Sequence, residues 1–367
     1  MKINSKKRNA LLLVVIIFLM AIMVAVLLLT GTAPAVKKEK IGFIITGSID
    51  EGGWNGMHYN GASTACEMLG VQLLVKENIK EFCGECGPAV EELVGKGCKM
   101  IILTSFGYVE EVKDIISKYP DVAFYGNSFG FHADNVTSYF SRMYQARYLA
   151  GIVAGMKTQT GRIGYVAAMP TSEVNRGIDA FTLGVRRVNP EATVTVAWSG
   201  KWDDEEQERR QADALIENVG VDVLTYHQNK TYVAQEAEKY GIYSIGYHQS
   251  LEGHSDKFLT AVVCDWEQTY EAIIRQYLRG NSHDIKIYWV GMEEKTVKLD
   301  GFSPIVGEEI REEVSRAQNE ILAGHDVFSG IIYDNKGDIR CKENQTIRDE
   351  ILLEQLDWYV EGVEFYE

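Results

Sequence analysis

Two aromatic–polar pairs are the residues best suited to chemistry in this sequence: Trp54 with Asn55, and Trp202 with Asp203. An indole offers a broad π-face on which a planar ring can stack, and a neighbouring amide or carboxylate can hydrogen-bond that ring's edge. That is binding chemistry rather than bond-breaking chemistry. The chain has no G-x-x-x-x-G-K-[ST], no G-x-G-x-x-G after a strand and no G-x-S-x-G elbow. Its seven histidines (58, 132, 227, 248, 254, 283 and 325) are scattered, with no H-E-x-x-H. Cys83-Gly-Glu-Cys86 has the spacing of a metal or redox knuckle but lacks a second such pair, so a local disulfide or two thiols is the plainer expectation. A non-catalytic protein without metal or cofactor is therefore expected. The competing reading of each Trp is a hydrophobic plug over a sheet.

The surrounding elements place these pairs. Ile41 to Ile45 is a short apolar, β-branched run that reads as a strand; Gly47, Gly52 and Gly53 break it. A helix comes next through Met57, Gly61, Ala62, Ala65 and Met68, with Asp50 as its expected cap. Val194 to Trp198 repeats the arrangement: strand, Gly-bearing loop with Trp202 and Asp203, then a polar helix over Glu205 to Glu217. Ligands of parallel α/β sheets sit at the carboxyl ends of strands, which is where both loops fall. Two such units, far apart in the chain, suggest two lobes facing each other. Between and beyond them, strands and helices alternate, as in a parallel sheet covered on both faces. Ala150, Gly151, Ala154 and Gly155 would let the helix over Tyr144 to Lys157 pack closely, and a last helix is expected around Leu352 to Val360.

The first segment has a different character. Lys2, Lys6, Lys7 and Arg8 precede an uncharged apolar run from Ala10 to Leu29, about 30 Å long as a helix. Residues 1–36 thus read as a signal anchor crossing the membrane through residues 10–29, with a signal peptide cleaved near Ala35 as the alternative. Either places the remainder outside the cytoplasm. Setting aside the four basic residues of that segment leaves 33 basic against 52 acidic residues, a net charge of −19, which argues against nucleic-acid binding.

Six short motifs in order resemble the basic membrane protein family of ABC-importer substrate-binding proteins, which includes purine nucleoside receptors. They are Gly53-Trp54-Asn55, Arg147-Tyr-Leu-Ala-Gly151, Gly161-Arg-Ile-Gly-Tyr-Val166, Arg176-Gly-Ile-Asp-Ala-Phe-Thr-Leu-Gly184, Trp202-Asp203 and Asp357-Trp-Tyr-Val-Glu-Gly362. The resemblance runs from Lys40 to Gly362 and is greatest to a branch with Gly-Trp in its first loop, thought to bind purine bases. It implies an α/β type I periplasmic-binding-protein fold: two Rossmann-like lobes joined by a three-strand hinge, with the ligand between them. The lobes would be 38–138 plus 262–285, and 139–261 plus 286–367. It implies a purine sandwiched between Trp54 and Trp202, with Asn127, Gln249 and Asp265 beside Asn55 and Asp203 as candidate ligand contacts. A surface or capping role is the alternative for the polar ones. Where nucleoside receptors place acids, this chain has Asn127 and Gln249, which fits a base better than a nucleoside.

The implied function is an extracytoplasmic solute-binding component of an ABC importer, partnered by a permease and an ATPase, taking a purine base or nucleoside-like ligand. A membrane-anchored sensor that reports its ligand to a signalling partner is the second reading.

Overall fold

The computed structural model describes residues 14–22, 38–128, 131–248, 252–280 and 284–367. Residues 14–22 form a helix, α1, with exposed side chains. The rest of the expected 10–29 span lies outside the described residues, among which no helix is long and apolar enough to cross a membrane. Lys40–Glu367 forms a separate, compact unit.

Within that unit the chain runs β1 (Lys40–Ile44), α2 (Gly53–Leu69), β2 (Gln72–Lys76), α3 (Cys86–Gly95), β3 (Met100–Leu103), α4 (Tyr108–Ile116), β4 (Ala123–Gly126), β5 (Val136–Ser141) and α5 (Tyr144–Lys157). The alternation restarts with β6 (Arg162–Ala167), α6 (Ser172–Val188), β7 (Thr193–Trp198), α7 (Glu205–Ala214), β8 (Val223–His227), α8 (Tyr232–Tyr240), β9 (Tyr243–Tyr247) and β10 (Phe258–Cys264). It ends with α9 (Glu267–Leu278), β11 (Ile287–Val290), β12 (Val297–Leu299), α10 (Glu308–Leu322), the hairpin strands β13 (Ile332–Tyr333) and β14 (Ile339–Cys341), and β15 (Val363–Phe365).

Two large sheets result. The first has the order β11-β5-β4-β3-β1-β2 and the second β12-β10-β9-β8-β6-β7-β15. All pairings in the first are parallel. In the second only β12 runs antiparallel, against β10. Helices cover both faces, so central strands such as β3, Met-Ile-Ile-Leu, are buried along their whole length.

The chain passes between the halves three times: after β5, after β10 and after β11. α9 packs on α2 of the first half, where Gly61 lets the Trp266 backbone approach; a Cβ there would lie 2.8 Å from it. β11 then pairs with β5, so the crossings come after Ser141 and Val290 rather than at the expected 138/139 and 285/286 boundaries, and residues 262–264 belong to the second sheet.

α5 and α6 form the tightest helix pair. At Gly151 and Gly184 an added Cβ would come within 2.0 Å of the Phe181 and Tyr148 carbonyl oxygens, so the backbones touch only because both positions lack one.

Several local expectations fail for identifiable reasons. Gly52, not Asp50, is the N-cap of α2, and no side chain caps it; the chain enters the helix through Gly53 at φ +73°. Of the two expected states of Cys83 and Cys86, the structure has the separate thiols, one exposed and one buried at the start of α3. The polar helix stops at Ala214 and finishes as a π-turn over Leu215–Val219. The expected last helix is a single π-turn, Ile351–Gln355. Beyond it the chain extends so that Val360 N–H donates to buried Asp179 (2.9 Å) and Tyr359 Oη to Asn175 (2.8 Å), laying it along α6.

Candidate functional site

A cavity of about 580 Å³ opens where the carboxyl ends of the two sheets face each other, a size typical of small-molecule sites. From the first half it is lined by the loop after β1, the first turn of α2 (Trp54 and Asn55), and the loops after β2, β3 and β4 (Asn127). From the second half come Glu173 at the start of α6, Trp202 and Asp203 after β7, Lys230 after β8 and Tyr247 at the end of β9.

The β1 loop is held by its own side chains. Asn55 Oδ1 accepts from Thr46 N and Thr46 Oγ1 at 3.1 Å each, and Asn55 Nδ2 donates to Glu51. Asn55 therefore fastens the first turn of α2, which carries the indole, to the β1 loop before it. The other oxygen of Glu51 accepts from Lys230 Nζ at 2.6 Å, an ion pair that bridges the two walls.

Trp54 is half-buried, and its Nε1–H donates to the Thr104 carbonyl at 3.0 Å, which fixes the ring plane. Its ring meets His58 (centroids 4.3 Å apart), His248 (5.4 Å) and Trp266 (6.2 Å), all edge-on. The His248 contact joins the halves. His248 also sits at φ +53°, a conformation costly for a non-glycine residue.

Trp202 is likewise half-buried, with its ring edge-on to His227 at 5.8 Å. Its carbonyl accepts from Asn229 N at 2.9 Å. With its amide oxygen turned toward Ser199 Oγ (2.6 Å), Gln228 donates to the carbonyls of Lys201 (3.0 Å) and Trp202 (3.3 Å), so this loop is pinned from beneath. Asp203 beside it is exposed at the rim.

Asn127 is buried just past β4 with its backbone N–H on Leu103 O (2.9 Å). Its Nδ2 lies beside the Tyr139 hydroxyl but makes no well-aligned hydrogen bond among the described residues. A buried donor left unmade costs about 1–3 kcal/mol, so a group that fills it gains that much leverage.

Five expected site residues, Trp54, Asn55, Asn127, Trp202 and Asp203, therefore line one cavity. Asp265 does not join them. It faces a separate hollow of about 310 Å³ beside Trp266. There its carboxylate accepts from Glu267 N (3.3 Å) and pairs with Lys298 (3.0 Å), because the chain has already turned out of the second sheet toward α9. Gln249 lies outside the described residues.

Residues 38–328 match the family described as Bmp, ABC transporter substrate-binding protein PnrA-like. The chain belongs to this family. It is 32% identical over 93% of its length to a purine-binding protein of Brucella abortus, covering 97% of that protein. It is 33% identical over 72% of its length to a putative ABC transporter glucose-binding protein of Haloferax volcanii, covering 65% of that one. An ABC transporter solute-binding protein structure from Aeropyrum pernix K1 superposes with a TM-score of 0.65 at 17% identity, over 78% of this chain and 92% of the other. The last likeness concerns the fold, which is of the type I periplasmic-binding kind.

Sequence reasoning passed over Glu173, an acid that lines this cavity. Thr171 Oγ1 caps α6 by accepting from Val174 N (3.4 Å), so Glu173 reads in sequence as an ordinary first-turn acid. Its side chain keeps 19% exposure, and His227 Nε2 is 3.9 Å from Oε1. Burial pushes its carboxyl up to about 7, with Glu81 across the cleft adding to the rise and the Arg176 and Arg147 guanidinium groups opposing it. Neither arginine pairs with it. Arg147 donates to Tyr226 O (3.0 Å) and lies over the Tyr247 ring (4.4 Å), while Arg176 is turned to the Leu352 carbonyl. Burial, with Arg147 adding, holds His227 and His248 below the usual histidine range, His248 at about 3, so these imidazoles are neutral. The arrangement offers flat aromatic faces, uncharged rings behind them, one amide donor without a well-aligned partner and one nearly buried acid.

Proposed function

We propose that this family member is the extracytoplasmic solute-binding component of an ABC importer and that it holds a purine base between Trp54 and Trp202. The observation that carries this reading is that the two indoles, each following a strand of a different sheet, line one cavity with the Asn127 amide, whose Nδ2 makes no well-aligned hydrogen bond among the described residues. Base–aromatic stacking is worth about 1–3 kcal/mol per partner, and a hydrogen-bond donor in a dry site gives orientation. The purine-binding description of the Brucella relative supports the same ligand class. The protein binds and releases its ligand unchanged, and a permease and ATPase receive it. Residues 10–29 would tether it to the membrane.

The test is titration of the purified protein with adenine, hypoxanthine, adenosine and glucose, alongside mass spectrometry of whatever co-purifies. A base bound in the micromolar range or tighter, weakened by Trp202→Ala, supports the reading. Glucose is the informative rival, given the Haloferax relative and the ability of a pyranose face to stack on indole. Binding of glucose and of no purine would replace the ligand assignment. Turnover of adenosine would replace the binding role with a catalytic one.

A further inference from the structure

We propose that Glu173 is the specificity-determining contact of the cleft, and that its carboxyl distinguishes a 6-oxopurine from a 6-aminopurine by whether the ring nitrogen next to C6 carries a proton. The proposal rests on the purine reading above.

The geometry sets Glu173 apart from the other acids of the cavity. Glu51 is engaged by Lys230 and Asn55. Glu81 accepts from Ser105 Oγ (2.6 Å) and Gly107 N (2.5 Å). Asp203 is at the exposed rim. Glu173 lines the cavity with a side chain four-fifths covered. Among the described residues, the one titratable partner in ion-pair range is the neutral His227 ring nitrogen at 3.9 Å. Its carboxyl is therefore available to whatever occupies the cleft.

The surroundings let both protonation states exist near neutrality. Burial raises the carboxyl to about 7. The groups that face it are Arg176 on its own helix, Arg147 from α5, His227 at the end of β8, and Glu81 from the opposite wall. Tyr165 of β6, Tyr247 of β9 and Cys264 of β10 also feel its charge, and burial keeps all three protonated. His227 and His248 stay neutral, so among the groups that face it Glu173 changes charge between pH 6 and pH 8; Glu208 on α7, which burial also raises to about 7, does so beside Asp204.

The chemistry then turns on one proton. A 6-oxopurine such as hypoxanthine presents a ring N–H, which an ionised carboxylate accepts; the adjacent carbonyl can take the Asn127 Nδ2 donor. Adenine presents a bare ring nitrogen, which needs the protonated acid as donor. One residue thus favours opposite bases in its two states. The apparent dissociation constant scales inversely with the competent fraction, which for a group titrating at about 7 changes about tenfold between pH 6 and pH 8.

The experiment is isothermal titration of the full chain and of Glu173→Gln with hypoxanthine and adenine at pH 6, 7 and 8, with the melting temperature recorded at each pH. In the parent, hypoxanthine affinity should rise about tenfold from pH 6 to pH 8 while adenine affinity falls by a similar factor. In Glu173→Gln both profiles should flatten, because a Gln amide can donate or accept at any pH. Both bases following the same pH trend in the parent, or opposite trends persisting in the variant, overturns the assignment of Glu173 and leaves the purine reading standing. Failure of the parent to bind either base at any pH overturns both.

Discussion

Lys230 and Glu51 tie the two walls of the cleft together, and cutting that tie should loosen the bound state whatever the ligand is. Their carboxylate–ammonium distance is 2.6 Å, with side-chain exposures of 34% and 26%. Partial exposure places the pair near the upper end of the surface range, about 1 kcal/mol, rather than in the regime of fully buried pairs. If the pair forms only when the walls meet, losing it shifts the closed-to-open ratio about fivefold, since about 1.4 kcal/mol is tenfold. Lys230→Met keeps the aliphatic stem and removes the charge. Ligand release, followed by Trp fluorescence in stopped flow, should then speed up by about three- to fivefold at low salt, with little change in the association rate. Raising the parent to about 1 M salt should reproduce part of the effect, because the Debye length falls to about 3 Å. Equal release rates in parent and variant at low salt would show that the bridge forms independently of closure, and the reasoning would fail.

Three further outcomes are expected. Asp265→Ala should leave ligand affinity within about twofold of the parent by calorimetry, because Lys298 and the Glu267 amide, not the cleft, use that carboxylate. Gly184→Ala should lower stability by about 1–3 kcal/mol or more in urea unfolding, since its Cβ would lie 2.0 Å from the Tyr148 backbone oxygen and cannot be relieved by a side-chain rotation. For Glu173 the folded state raises the pKa above its unfolded value, so the folded state binds the proton more tightly. The destabilising contribution is fully present above about pH 7 and is relieved as pH falls toward 4.5; Glu173→Gln should therefore melt higher than the parent at pH 8, with the gap closing by pH 5.

The sequence carried the strand–loop–helix alternation clearly, because buried parallel strands leave continuous apolar runs and the loops between them are marked by glycine. It also carried the placement of Trp54 and Trp202, since the carboxyl ends of parallel strands are defined by chain direction alone. It could not carry the partners that polar side chains take up. Asn55 reads as a ligand contact, yet its amide is consumed by Thr46 and Glu51. Asp265 comes after a strand as a ligand-reading acid would, yet the chain turns there toward α9. Glu173 reads as helix-start decoration, and only the packing of α5, β8 and the far wall makes it an acid held near neutrality. The Leu352–Val360 apolar spacing fits a helix, but it equally fits an extended chain laid on α6, and the Asp179 and Asn175 hydrogen bonds decide for the latter.

The polar groups of the cleft also explain why ligand and closure should be coupled. Asn127 Nδ2 and both ring nitrogens of His227 and His248 are buried without well-aligned hydrogen bonds among the described residues, and Glu173 is nearly so. Bringing the walls together removes such groups from water, at about 1–3 kcal/mol for each one left unsatisfied. The Glu51–Lys230 bridge and the Trp54–His248 contact offset part of that cost, but each is of the order of 1 kcal/mol. A ligand that stacks on the indoles and satisfies the Asn127 and Glu173 groups interacts with them only when both walls are in reach. Its free energy of interaction is therefore largely specific to the closed arrangement, which is the condition for a ligand to shift that equilibrium. A ring that stacks but offers no edge partner would gain the aromatic contribution and leave the polar cost in place, so on the proposed reading selectivity would reside in the floor of the cleft and affinity in its walls.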